Sequence, residues 1–294
     1  MQIFASRRSH NIAPRNATKP PELKIKRRGA GVPIVFVPGF LETSHIWEGL
    51  IHRTDPFLPD TIDLALPGHP PWLPAKDDHL TDDWIDDVAE SLAAIAPSGI
   101  RIVGHSTGGL VALELARLHP SLVRDVLLVG ALHSGDIGGH KTLAHEAAEN
   151  PWIGAILISA TLQVWLSSET LFQVGLNSAM AAPVEPNDLP KDMRDIMRAA
   201  CPRTLRDLLR WMSQRNASAL SELNVPVSSI IGTKDIVIAP EHQIAALDLI
   251  DNTNATLLPT GHLPFFERPD LFDPVFGAWL ANEPSAAHVH KQLP

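Results

Sequence analysis

The sequence predicts an α/β fold: a mostly parallel central sheet with helices on both faces and an inserted helical segment. Three observations carry this. Short apolar, β-rich runs alternate with helix-like stretches over residues 33–132, the pattern of strands joined by crossover helices. The rhythm breaks between about Ser134 and Gln214, in a stretch rich in Ala, Leu, Met and Trp and cut by Pro151, Pro183, Pro186, Pro190 and Pro202. It resumes at Val227.

In order, residues 1–21 read as an unstructured basic tail. Leu23-Lys24-Ile25-Lys26 alternates like a short edge strand. Residues 33–37 form a continuous apolar run, typical of a strand buried on both faces. Residues 44–51 have helical spacing, with Ser44 as a candidate cap. A second strand is expected over 61–66, closed by Pro67-Gly68-His69-Pro70-Pro71. The next helix opens near Thr81, with Asp82, Asp83, Asp86 and Asp87 in its first turns, where acids suit the helix dipole. Strand 100–103 and helix 109–118 follow, then strand 126–129. After the break come strand 227–231, helix 241–250, strand 255–258 and a final helix over 269–280. The domain expectation is therefore a core over 22–133 and 215–283, a helical cap insertion over 134–214, and tails at 1–21 and 284–294.

The 294 residues carry a net charge of −9, unevenly placed. Residues 1–28 hold eight Lys or Arg and one acid, Glu22, so the rest of the chain is strongly acidic. An acidic body argues against nucleic acid as a partner. The single cysteine, Cys201, cannot form an internal disulfide and implies no oxidising compartment. The longest uncharged apolar run, residues 153–166, is too short to span a membrane and contains Ser159, Thr161 and Gln163. The expected location is cytoplasmic; the basic start has a composition shared with organelle transit peptides, but a solvated tail is the simpler reading. Neither H-E-x-x-H nor close Cys/His spacing points to a metal, and no cofactor is expected.

The chemistry centres on Gly104-His105-Ser106-Thr107-Gly108, between strand and helix. That context gives a G-x-S-x-G run meaning. A turn from strand straight into helix leaves little room for side chains, and the glycines let the backbone through. Ser106 then sits at the tip, and the Thr107 amide lies where unpaired N–H groups and the helix dipole favour negative charge. Such a turn can present a nucleophile and hold the oxyanion it creates. A serine needs a base to take its proton, and the base needs an orienting acid. Both should follow strand ends, because the carboxyl ends of parallel strands face one crevice. Asp235, beyond strand 227–231, and His262, beyond strand 255–258, satisfy this. Asp136 is a rival acid, and His45, His69 and His105 are rival histidines.

Val37-Pro38-Gly39-Phe40, Asp63-Leu64-Ala65-Leu66-Pro67-Gly68-His69, the Gly104–Gly109 run, Gly232-Thr233-Lys234-Asp235, and Gly261-His262 with Glu267-Arg268-Pro269 occur in one order. Together, over residues 33–133 and 225–282, they resemble the α/β-hydrolase family. The resemblance implies Ser106 as nucleophile, Asp235 as acid and His262 as base, with an oxyanion hole from the Phe40 and Thr107 amides. It also implies that the central insertion roofs the active site. Where the family commonly has His-Gly, this chain has Pro38-Gly39, so support of that loop by a neighbouring histidine is expected to be lost. Dehalogenases and epoxide hydrolases of the fold carry Asp at the elbow; Ser106 points away from both.

The expected reaction is acyl transfer to water on a small to medium, mostly apolar ester, thioester or lactone. Trp152, Trp165, Phe172, Met180, Met193, Met197, Trp211 and Met212 are candidates for an apolar roof, and Trp165, Trp211 and His105 for substrate contact. Carbon–carbon bond hydrolases and cofactor-free perhydrolases share the triad and stay open as alternatives. A ligand-binding protein on the same scaffold is the alternative of another class.

Overall fold

The computed structural model describes residues 19–75, 80–135, 153–178, 180–181 and 191–281. Among the described residues seven strands form one sheet: β1 (Ile25–Lys26), β2 (Ile34–Val37), β3 (Thr61–Asp63), β4 (Ile100–His105), β5 (Val123–Val129), β6 (Val227–Gly232) and β7 (Thr253–Leu258). Their order is β1-β3-β2-β4-β5-β6-β7. Only the β1–β3 pair is antiparallel; the other five neighbouring pairs are parallel. β2, with every residue buried, is the apolar run expected of a strand covered on both faces.

Helices cover both faces. α1 (Glu48–Thr54), α2 (Trp84–Ile95) and α3 (Thr107–Leu118) lie in the first half of the chain. Among the described residues four helices stand between β5 and β6: α4 (Ile153–Ser167), α5 (Glu169–Ser178), α6 (Lys191–Arg198) and α7 (Pro202–Ser213). α8 (Pro240–Leu247), the one-turn α9 (Pro264–Glu267) and α10 (Pro269–Leu280) complete the fold. Two hydrophobic clusters divide along the sheet. Val35, Ile102, Leu110 and Trp84 belong to one, and Phe36, Val103, Phe272 and Phe276 to the other. The alternation Val35/Phe36 and Ile102/Val103 follows from successive strand side chains pointing to opposite faces.

The expected elements appear with small shifts. The helix expected over 44–51 begins as a 3-10 turn at Ser44–Trp47 before α1. The strand expected over 61–66 ends at Asp63. Of the tail expected over 1–21 only 19–21 lie within the described residues, and all of 284–294 lies outside them. The basic stretch that follows the tail is paired: Lys26 meets Asp63, Arg27 meets Asp60 at 2.5 Å, and Arg28 meets Asp55.

Parallel register sets the site. His105 at the end of β4 lies opposite Val129 at the end of β5. Gly232, ending β6, lies opposite Leu258, ending β7. Ser106, Asp235 and His262 all follow these ends, so one edge of the sheet receives all three.

Candidate active site

Ser106 has φ 50° and ψ −118° between β4 and α3. A positive φ is rare for a residue with a Cβ, and it marks a strained elbow. The elbow is possible because its neighbours are glycines. A Cβ on Gly104 would stand 2.4 Å from the Gly108 carbonyl oxygen, and one on Gly108 would stand 2.3 Å from that of Val37. The Ser106 carbonyl takes bonds from Gly109 (2.9 Å) and Leu132 (3.0 Å), which pins the turn to the helix and to the segment after β5.

His262 and Asp235 form a buried pair, Nδ1 to Oδ2 2.8 Å. The Asp235 carboxylate also accepts from the amides of Val237 (2.9 Å) and Ile238 (3.0 Å) and from Gln243 Nε2 (3.2 Å). Such a carboxylate is held as an acceptor, and it fixes the His262 proton on Nδ1, leaving Nε2 with a lone pair. Among the described residues no hydrogen bond joins Ser106 Oγ to His262; free enzymes often hold this contact long. Gly130, at φ 51°, closes against the pair: a Cβ there would lie 2.9 Å from the His262 carbonyl oxygen and 3.3 Å from Nδ1. Glu267 clamps the loop carrying His262. Its carboxylate accepts from Gly261 (2.9 Å) and Leu263 (3.1 Å), on either side of His262, and from Ala181 (3.0 Å).

The loop after β2 is held residue by residue. The Gly39 amide donates to Glu42 Oε2 at 2.5 Å. The Leu41 amide donates to His69 Nε2 at 2.8 Å. Phe40 lies between them, and among the described residues neither its amide nor that of Thr107 donates to a protein acceptor. Leu41 has φ 64°, another strained residue in this turn. The expectation that this loop lacks histidine support is therefore corrected: His69, from the loop beyond the neighbouring strand β3, supplies it. Burial pushes His69 down to about 4, outweighing the Pro67 and Leu66 carbonyls that favour its charge. The ring is neutral, with its proton on Nδ1 facing the Pro67 carbonyl at 3.2 Å.

His105, expected to contact substrate, is completely buried instead. Its Nδ1 bonds Glu42 Oε2 at 2.8 Å and its Nε2 bonds the His262 carbonyl at 2.9 Å. Strand alternation explains this: the residue before the elbow points into the sheet face opposite Ser106. Burial works against charge on both partners. For His105 it is outweighed by the charge and hydrogen bond of Glu42, then the His262 carbonyl and Asp235, which raise its pKa. For Glu42 it is outweighed by His105, His262 and the Gly39 amide, which hold its carboxyl below the ordinary value. Both shifts favour an ion pair.

Trp211 packs its ring against Trp84, centroids 5.0 Å apart, and is 2 % exposed, which leaves a ligand little surface. Trp165 is partly buried, against Phe172 (5.7 Å), in the cluster of Leu41, Leu162, Leu166 and Leu205 with Phe40. Residues of α4 and α7 thus pack on the loop that carries the Phe40 amide. Asp136 and Trp152, and the Met193 side chain, lie outside the described residues. Among the described residues no three His, Cys, Asp or Glu gather to hold a metal ion, and no helix is long and apolar enough to cross a membrane.

Residues 34–274 match the family model described as the alpha/beta hydrolase family. The chain belongs to the alpha/beta hydrolase family. As a member it is a hydrolase enzyme. It is 26% identical to an uncharacterised protein of Mycobacterium tuberculosis over 90% of this chain and 83% of that one. It is 23% identical to a pimeloyl-(acyl-carrier protein) methyl ester esterase of Neisseria meningitidis over 81% of this chain and 90% of the relative. Among solved structures, an esterase from Exiguobacterium antarcticum superposes with a TM-score of 0.69 at 16% identity, covering 88% of this chain and 95% of that chain.

Glu42, Gln243 and Gly130 were not assigned a role from the sequence, and His69 stood only among the rival histidines. Only His69 and Gly130 carried a local signal: a histidine closing a Pro-Gly turn, and a glycine directly after a strand.

Proposed function

We propose that this hydrolase cleaves carboxylic esters, and related thioesters or lactones, of small to medium and mostly apolar acyl groups through an acyl-enzyme on Ser106. The observation that carries the reading is the buried His262–Asp235 hydrogen bond at the sheet edge that also presents a strained Ser106. His262 Nε2 takes the Ser106 proton as Oγ attacks the carbonyl carbon. The developing oxyanion accepts from the Phe40 and Thr107 amides, a role supported by their having no protein acceptor among the described residues. His262 then gives its proton to the leaving oxygen. Water repeats the sequence against the acyl-enzyme and releases the acid, regenerating Ser106. Asp235 orients His262 through the Nδ1 bond and stabilises the imidazolium.

The helices between β5 and β6 act as a cap in this reading. Support comes from their packing on Phe40 and Leu41, from the Cys201 amide donating to the Gly68 carbonyl at 2.7 Å, and from Glu267 tying Ala181 to the His262 loop. Relatives named as esterases favour ester cleavage over the other reactions the triad supports.

The test is steady-state hydrolysis of p-nitrophenyl esters by wild type, Ser106→Ala and Asp235→Asn. Turnover by wild type that disappears in Ser106→Ala supports the reading. Equal turnover by both would place the chemistry elsewhere.

A further inference from the structure

The loop that supplies His69 is itself held by α7. The Gly68 amide donates to the Trp72 carbonyl at 2.9 Å, and the Gly68 carbonyl accepts from the Cys201 amide, just before α7, at 2.7 Å. Gly68 has φ 84°, and a Cβ there would stand 3.0 Å from Thr204 Cβ and 3.2 Å from the Leu205 nitrogen. Glycine alone suits both that backbone angle and so close an approach of the helix. The far end of α7 reaches the same loop through rings. Trp211 packs on Trp84 at 5.0 Å, and Trp84 packs on Trp72 at 5.7 Å. All three are buried.

The Gly68 carbonyl and the His69 N–H belong to one planar peptide unit. Both of its polar atoms are engaged: the oxygen takes the Cys201 amide, and the N–H donates to the Leu66 carbonyl at 3.1 Å. Losing either bond frees the plane to turn about the other, and the His69 ring turns with it. That ring is wholly buried. It reaches the loop after β2 twice, through the Leu41 amide on Nε2 at 2.8 Å and through the Phe40 ring, centroids 6.0 Å apart and edge to face. One peptide plane therefore separates the α7 contact from the imidazole that fixes this loop. Leu205 of α7 also packs in the cluster of Leu41 and Phe40, a direct contact of the same two parts.

We propose that Cys201 and Gly68 are positioning residues for the Phe40 amide: the bond between them, seated by α7, sets the Gly68–His69 peptide plane and through His69 the loop after β2. The proposal rests on the esterase reading, which gives the Phe40 amide its task, and it brings the helices between β5 and β6 into the reaction. An amide that serves an oxyanion acts only when the charge has formed, and a small misplacement weakens it. The α7 contact therefore acts on the rate of the bound substrate and not on its binding.

The experiment compares Cys201→Pro and Thr204→Ile, each alone and combined with His69→Phe. Proline removes the N–H that Gly68 accepts, at a φ of −89° close to its own. Isoleucine adds bulk where Thr204 meets Gly68 and wedges α7 away. kcat and KM are measured with p-nitrophenyl butyrate, and kcat is taken per site titrated by a fluorophosphonate, so that unfolded protein does not count. Each single variant is expected to lower kcat about tenfold and to leave KM within about twofold. In His69→Phe, where the link is already cut, the same changes should lower kcat by less than about threefold. A change that only loosened the fold would cost the same factor in both backgrounds. Equal factors in both, a kcat that neither variant alters, or a loss confined to KM overturns the proposal and leaves the esterase reading standing. Should Cys201→Pro not fold, Thr204→Ile and its double variant decide. No turnover of any ester by wild type would remove the esterase reading and this assignment with it.

Discussion

The amide of Leu41 donates to Nε2 of His69 at 2.8 Å. This bond joins the loop after β2 to the loop after β3, and it holds a leucine in a conformation that leucine disfavours. With Glu42 holding the Gly39 amide from the other side, the Phe40 amide between them is left without a protein acceptor among the described residues, as the proposed oxyanion hole requires. His69→Phe should remove the acceptor and leave a buried N–H unpaired, at a cost of about 1–3 kcal/mol. The expected outcome is a fall in kcat of about 10–100-fold with little change in KM, read by steady-state kinetics on one ester.

Replacing Asp235 by Asn should keep the fold and lower kcat by about 10⁴-fold. Asn offers an N–H toward His262 and favours the wrong tautomer. A circular dichroism spectrum like that of wild type, with ester turnover nearly lost, is the expected pair of observations.

Gly108→Ala should damage folding more than chemistry. Its Cβ would stand 2.3 Å from the Val37 oxygen and 2.5 Å from the Pro38 oxygen, both rigid backbone. A loss of about 3 kcal/mol is expected in urea unfolding.

Stability should fall as the solution is acidified from pH 6.5 towards 4. Burial lowers His69, and burial with the charge of His242 lowers His133, each to about 4 in the folded protein. The unfolded chain, with histidines near 6.5, takes up these protons first, and protonation then favours unfolding. Each contributes on the order of 3 kcal/mol that is present above pH 6.5 and lost as pH falls through 4. His105 runs the other way. Its raised pKa makes its contribution full below 6.5 and lost as pH rises through its folded value. Thermal melts from pH 4 to 8 should show the acid-side slope, flatter in His69→Gln.

The fold was legible because its signals are local. β2 is a continuous apolar run, β6 covers the strand expected over 227–231, and α10 falls on the residues expected of it. The placement of Ser106, Asp235 and His262 together was legible because parallel strands send their ends to one edge. The parts that position them were not. Glu42 and His105 are 63 residues apart in sequence, and His69 and Leu41 are 28 apart. No short pattern announces such pairings. Trp211 read as a roof residue by its type, and only the packed fold shows its ring against Trp84.

The central claim is that Ser106 is an activated nucleophile. The most direct test is labelling with a fluorophosphonate probe, on wild type and Ser106→Ala, followed by peptide mapping. The account predicts one adduct, on the peptide containing Ser106, absent from the alanine variant. A folded wild type that takes no label, or labels equally after Ser106→Ala, would contradict it.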